Sequence, residues 1–244
     1  MRNKNHSKRL LLISNSTQYG SGYLDHCEGE IRDFLGDTSR VLFFPFALYD
    51  RVAYANKARA RFAAMGYELD SILEPTGSEK AVARSQALFV GGGNTFRLLK
   101  AFYAFELVHA VRRQVEEGVP YIGSSAAGSI LAGPTIKTTQ DMPIVDPPSF
   151  DALNLVPFQI SPHYLDPDPA STHMGETQGE RILQFLEEND APVVGLREGT
   201  VLRVEDRSIC LKGCAGARLF RRSHAPIEVK PGATLNDLLQ AEGR

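Results

Sequence analysis

Tyr121-Ile122-Gly123-Ser124-Ser125-Ala126-Ala127-Gly128-Ser129-Ile130-Leu131-Ala132 carries apolar residues into two serines, after which small residues open a predicted helix. A strand ending in a tight turn into a helix lifts one side chain clear of the sheet. It also aims the N–H groups of the helix start at whatever that side chain attacks. A serine there is a candidate nucleophile with a place beside it for an oxyanion. The pattern is near G-x-S-x-G, with Ala127 where the second glycine would stand. Small residues at such a turn also serve close packing alone, so the rest of the chain must decide between the two.

On the N-terminal side, apolar runs alternate with helical patterns. Leu10 to Asn15, Val41 to Phe46, Tyr67 to Leu73 and Ala87 to Val90 read as strands. Gly22 to Leu35, Arg51 to Met65, Phe96 to Ala101 and Phe105 to Glu117 read as helices, three of them closed by a following glycine. This alternation predicts an α/β fold with a doubly wound, mainly parallel sheet flanked by helices. Sites in such sheets gather beyond the carboxyl ends of the strands, where Gly91-Gly92-Gly93-Asn94-Thr95 and the two serines both fall.

On the C-terminal side, residues 134–148 are too rich in proline for a helix interior and read as an ordered loop. Phe158-Gln159-Ile160 leads to Ser161-Pro162-His163, Gly175 to Asn189 reads as a helix, and Pro192 to Leu196 is a strand ending at Arg197-Glu198-Gly199. Val201 to Val229 predicts antiparallel hairpins with turns at Glu205-Asp206 and Lys212-Gly213, and Thr234 to Gln240 a closing helical turn. With no internal repeat or linker, one domain over residues 1–244 is the simplest account, residues 1–9 forming a basic flexible tail.

The chain's 244 residues are 43% hydrophobic and 23% charged, with net charge −2, which speaks against nucleic acid as a partner. No apolar run approaches the roughly 20 residues that span a bilayer, and no signal peptide is recognisable, so neither a membrane partner nor export is expected and the default location is cytoplasmic. Three scattered cysteines, Cys27, Cys210 and Cys214, form no disulfide framework or zinc motif. No metal and no cofactor is expected.

Ser125, His163 and Glu198 follow three of the predicted strands. A hydroxyl near neutral pH needs a base such as imidazole, and the imidazole needs a third group to hold its tautomer. Taken singly each residue reads as a small or polar loop residue; jointly they favour catalysis. The order Ser…His…Glu differs from that of α/β-hydrolases. The triple-glycine turn can present unobstructed N–H groups to an oxyanion, whereas it lacks the lysine and spacing of a phosphate loop.

These segments together resemble peptidase E, the α-aspartyl dipeptidase family of serine peptidases. The likeness runs through Leu12–Thr17, Val90–Phe96, Tyr121–Ala126, Thr138–Val145, Pro162-His163, Gly175-Glu176-Thr177 with Arg181, and Gly195–Gly199. It implies a fold like that of class I glutamine amidotransferases. It makes Ser125 the nucleophile, His163 the general base and Glu198 the orienting acid, with an oxyanion hole from Gly92 or Gly93 and Ala126. The implied substrate is a small peptide with an N-terminal aspartate, its amine met by Asp141 and its carboxylate by Arg181, with Asn94 at the same site. Two departures stand out: an extra residue between Ser125 and Pro134, which leaves Ser124 as a rival nucleophile, and Gln178 where the family has a second arginine. A hydrolase of β-aspartyl linkages like the cyanophycinases, and a binding homologue that has lost the chemistry, remain alternatives. Monomer and homodimer are both open.

Overall fold

The computed structural model describes residues 8–240. The chain opens with β1 (Arg9–Ile13), α1 (Glu28–Leu35), β2 (Arg40–Phe44), α2 (Arg51–Ala64), β3 (Glu68–Ser71), α3 (Ser78–Ala83) and β4 (Leu88–Val90). Next come α4 (Thr95–Ala104), α5 (Leu107–Glu116), β5 (Tyr121–Ser124) and α6 (Ser125–Ile130). The remainder is β6 (Gln159–Ser161), α7 (Gln178–Glu188), β7 (Val193–Leu196), β8 (Thr200–Glu205), β9 (Ser208–Gly213), β10 (Ala217–Phe220) and β11 (Ile227–Val229).

Seven strands form the main sheet in the order β3-β2-β4-β5-β1-β8-β9. The first five are mutually parallel, and β8 and β9 add an antiparallel hairpin beside β1. The apolar run of β1 shows why both faces must be covered. Leu10 and Leu12 enter the core formed with α4, α5 and α6, while Leu11 and Ile13 enter the core formed with α1 and α2. All four are fully buried, as the period-2 alternation of a strand covered on both sides requires. Burying each such side chain contributes about 1.5–3 kcal/mol.

A second sheet departs from the single sheet expected. Its order is β11-β10-β7-β6, with β6 and β7 parallel and β10 and β11 antiparallel. Val194 and Leu196 on one face of β7 join the core of the main sheet, whereas Val193 packs with Tyr164, Phe220 and the Ile182 and Leu186 stripe of α7. Accordingly the turn at Lys212-Gly213 closes no hairpin. β9 pairs with β8 alone within the main sheet, Gly213 takes φ +93°, and the chain leaves to lay β10 on β7. The turn at Glu205-Asp206 does join a hairpin.

Smaller corrections have local causes. Leu24 takes a left-handed φ of 60°, so the predicted helix from Gly22 begins as a 3-10 turn over Asp25–Cys27 and becomes α-helical at Glu28. The helix expected from Gly175 starts at Gln178, because Thr177 and Glu180 form a reciprocal capping box. Helix α3 had no sequence reading. Of the expected tail, residues 1–7 lie outside the described residues; Lys8 donates to Leu155 O at 3.2 Å and Arg9 opens β1. Among the described residues, no helix is long and apolar enough to cross a membrane.

Candidate active site

Strands β4, β5 and β1 are neighbours, so their carboxyl ends bring Gly91–Asn94, Ser124-Ser125 and Ser14-Asn15 together. The carboxyl ends of the parallel pair β6 and β7 bring up His163 and Glu198 from the second sheet. Ser125 Oγ lies 2.7 Å from His163 Nε2, and His163 Nδ1 lies 2.7 Å from Glu198 Oε1. Both distances are those of short hydrogen bonds. A proton on Nδ1, held by the carboxylate, leaves the Nε2 lone pair facing the serine hydroxyl.

Ser125 stands at φ +61° and His163 at φ +53°. Left-handed backbone costs a non-glycine residue about 1–2 kcal/mol and persists only where surrounding structure enforces it. At Ser125 the enforcement is steric. A Cβ on Gly92 would fall 2.3 Å from Ser125 Cβ, so the glycine turn can approach the serine only without a side chain. A Cβ on Gly123 would meet Gly128 O at 2.4 Å, and one on Gly128 would meet Val90 O at 2.3 Å. The close approach expected two residues after the serine thus falls three residues after it, at Gly128, and Ala127 is buried in the intervening helical turn. Ser129 Oγ donates to Ile13 O at 2.8 Å, tying this helix to β1.

Ser124 has a different environment. It is fully buried, pairs with Ile13 in the sheet, and its hydroxyl has no hydrogen-bond partner within the protein. Beneath the glycine turn, burial pushes the Tyr54 phenol up, opposed by the Tyr23 hydroxyl and the Gly92 N–H that face it. Among the described residues no acceptor pairs with Gly93 N–H, while Asn94 N–H donates to Ala47 O.

The residues expected to hold the substrate are largely engaged with the protein. Asn94 caps α4, accepting Arg97 N–H at 3.0 Å and donating to Met142 O at 2.9 Å. Asp141 Oδ2 accepts Thr95 N–H at 2.7 Å and the Thr95 hydroxyl, leaving Oδ1 for another donor. Arg181 donates to Gln140 Oε1 at 3.0 Å and sits 3.7 Å from Glu176. Asp141 and Arg181 do share a cavity of about 210 Å³, with Lys137, Thr139, Gln140 and Phe185 also on its walls. Ser125, His163 and Glu198 are not among its lining residues. Its link to them is Thr138, whose hydroxyl donates to Ile160 O on β6, three residues before His163.

Two braces had no signal in the sequence. Gln178 Oε1 accepts Leu165 N–H at 2.9 Å and its amide donates to Ser161 Oγ at 3.0 Å, so one side chain grips the chain on both sides of His163. An arginine has no acceptor and cannot reproduce the first bond. Arg197, next to Glu198, forms a fork with Asp166 at 2.7 and 3.0 Å and another with Glu228. Hydrogen bonds to Glu228 and Asp166 push the guanidinium up, and hydrogen bonding to Arg197 holds both carboxyls below their usual range.

The model of peptidase family S51 matches residues 10–212. The chain belongs to peptidase family S51. Among curated proteins it is 50% identical over 234 residues to the peptidase E of Streptomyces coelicolor, covering 96% of each chain. It is 43% identical over 237 residues to the probable alpha-aspartyl dipeptidase of Drosophila melanogaster, covering 96% of this chain and 98% of that one. Among solved structures, a peptidase from an acI-B1 Actinobacterium superposes with a TM-score of 0.70 at 14% identity, over 95% of this chain and 98% of the other, a likeness of fold. The S51 match spans the helix that opens with Ser125, the turn of His163 and the turn of Glu198 alike.

Proposed function

We propose that this S51 peptidase is a serine exopeptidase releasing N-terminal aspartate from dipeptides and other small peptides through an acyl-enzyme. The observation that carries the reading is the unbroken relay of two 2.7 Å contacts from Ser125 through His163 to Glu198. The names of the relatives, peptidase E and alpha-aspartyl dipeptidase, supply the substrate class. Neither names a β-aspartyl hydrolase, and a short relay is not what a lapsed catalyst would keep.

In this reading Ser125 Oγ attacks the main-chain carbonyl carbon of the N-terminal aspartate while His163 Nε2 takes its proton. Glu198 holds the imidazolium through Nδ1–H. The oxyanion falls between the N–H of Gly93 and that of Ala126, with Gly92 N–H turned toward Tyr54. His163 then gives the proton to the leaving amine, and water, deprotonated by the same nitrogen, cleaves the ester. Arg181 meets the substrate's side-chain carboxylate and Asp141 Oδ1 its ammonium group. Because Gln178 is engaged as a brace, Arg181 acts without a second arginine at that position.

Purified protein should hydrolyse Asp-Leu and an aspartyl anilide in the presence of chelator, and Ser125→Ala should remove this turnover. Undiminished turnover in Ser125→Ala would overturn the assignment. Turnover of β-aspartyl dipeptides in preference to α would replace the substrate class.

A further inference from the structure

The triad is divided between two sheets, with the nucleophile on the main sheet and the base and its orienting acid on the second. Something must hold these halves in register to within a fraction of an ångström. We propose that Ser14 and Asn15, at the end of β1, are positioning residues that set His163 and Glu198 against Ser125; this rests on the triad reading above.

Strand β1 is an interior anchor. It lies inside the main sheet, with Ile13 paired to Ser124 on one side and Val201 on the other. Just beyond it, Ser14 N–H donates to Thr200 O at 3.0 Å. The Ser14 hydroxyl then crosses to the second sheet, donating to Leu196 O of β7 at 2.8 Å and accepting His163 N–H at 3.0 Å. One hydroxyl thus uses its proton on the strand that carries Glu198 and a lone pair on the backbone of the base. The bond to His163 falls on a residue at φ +53°, where the backbone must be held from outside.

Asn15 does the matching work for the acid. Its Oδ1 accepts Gly199 N–H at 2.8 Å and its amide donates to Thr17 O at 3.0 Å. Gly199 is at φ +80° in the turn where Thr200 N–H returns to Arg197 O, so Asn15 fixes the turn presenting Glu198. Both side chains are buried and neither bonds to the serine hydroxyl, the imidazole or the glutamate carboxylate. With Ser129 bound to Ile13 O, residues 13–15 touch all three segments that bear the triad. The roles of Ser14 and Asn15 are therefore exerted through geometry, and a displacement of about 1 Å can cost 10²-fold in rate.

The test compares Ser14→Ala, Ser14→Thr, Asn15→Ala and Asn15→Asp with the parent. Three readouts are kcat and KM on an aspartyl anilide, the rate at which a phosphonate labels Ser125, and the downfield proton resonance of His163 Nδ1–H, assigned by its loss in His163→Ala. Each alanine variant should lower kcat and labelling about 10²-fold, with KM within about twofold and the resonance shifted or broadened. Ser14→Thr keeps a hydroxyl, and Asn15→Asp keeps the acceptor for Gly199. Each should recover at least tenfold of its partner's loss. The proposal is overturned if both alanine variants keep labelling rate and resonance unchanged, or if losses follow the melting temperature alone with no rescue by the conservative pair. Should the parent cleave no aspartyl substrate, the substrate reading fails, while labelling and resonance still decide the positioning role.

Discussion

The two halves of the site are held by different physics. On the main sheet, Ser125 is set by close steric packing around glycines, at the contacts of Gly92 with the serine, Gly123 with Gly128, and Gly128 with Val90. On the second sheet, His163 and Glu198 are set by polar side chains, Ser14 and Asn15 reaching from far along the chain and Gln178 and Arg197 from nearer by. Steric exclusion tolerates almost no displacement, whereas a hydrogen-bonded brace can lengthen or be exchanged. A site built this way has a rigidly set serine and an imidazole whose placement can be tuned.

The largest effect should come from the steric half. Gly92→Ala would drive a Cβ to 2.3 Å from Ser125 Cβ, and either the oxyanion turn or the serine must move. Turnover of an aspartyl anilide should fall about 10³-fold, the scale of losing an oxyanion donor. Activity within tenfold of the parent would show that the close approach of Gly92 does not set Ser125.

Next is Arg197→Ala. Arg197 is mostly buried while Asp166 and Glu228 are about half exposed, so the loss should be about 1–3 kcal/mol, below the cost of breaking a fully buried pair. Both carboxyls are held below their ordinary values in the folded state. Their stabilisation is therefore complete above the ordinary carboxylate range of about 4 and fades as pH falls through the lowered folded values. In Arg197→Ala the acid limb of melting temperature against pH should flatten. An unchanged limb would mean that the clamp is not formed in solution.

Gln178→Ala should cost about 1 kcal/mol of stability and lower kcat by less than tenfold, with the change in kcat rather than KM. A rise in KM with kcat intact would instead make Gln178 a substrate ligand. Smallest of all is Ser124→Ala, which deletes a buried hydroxyl without a partner. Activity should stay within about twofold and stability should be unchanged or higher by up to about 1 kcal/mol. Loss of turnover there, with turnover kept in Ser125→Ala, would move the nucleophile by one residue.

This division also governs what was legible in the sequence. Apolar runs and helical periodicity announced β1, β2, β4, β5 and β7 and the helices between them other than α3, because burial on both faces leaves its mark locally. The partition into two sheets left no such mark. β10 carries only a short apolar stretch, and its pairing with β7 rather than β9 depends on where the chain turns after Gly213. Asn94 was visible beside a glycine turn and Asp141 through the family resemblance, but that Asp141 binds the start of α4 and Asn94 ties it to Met142 depends on contacts across 46 and 48 residues.

The alternation of strands and helices as far as β7, apart from α3, the glycine turn, and the serine, histidine and glutamate at strand ends were determined by the sequence alone, since each is a pattern of near neighbours. Which serine faces the imidazole, which glycine makes the close approach that Ala127 cannot, and how β1 joins the two sheets were decided only by the tertiary structure. The reason is distance along the chain. Ser14 meets His163 across 149 residues and Asn15 meets Gly199 across 184, and no local periodicity encodes a hydrogen bond of that reach.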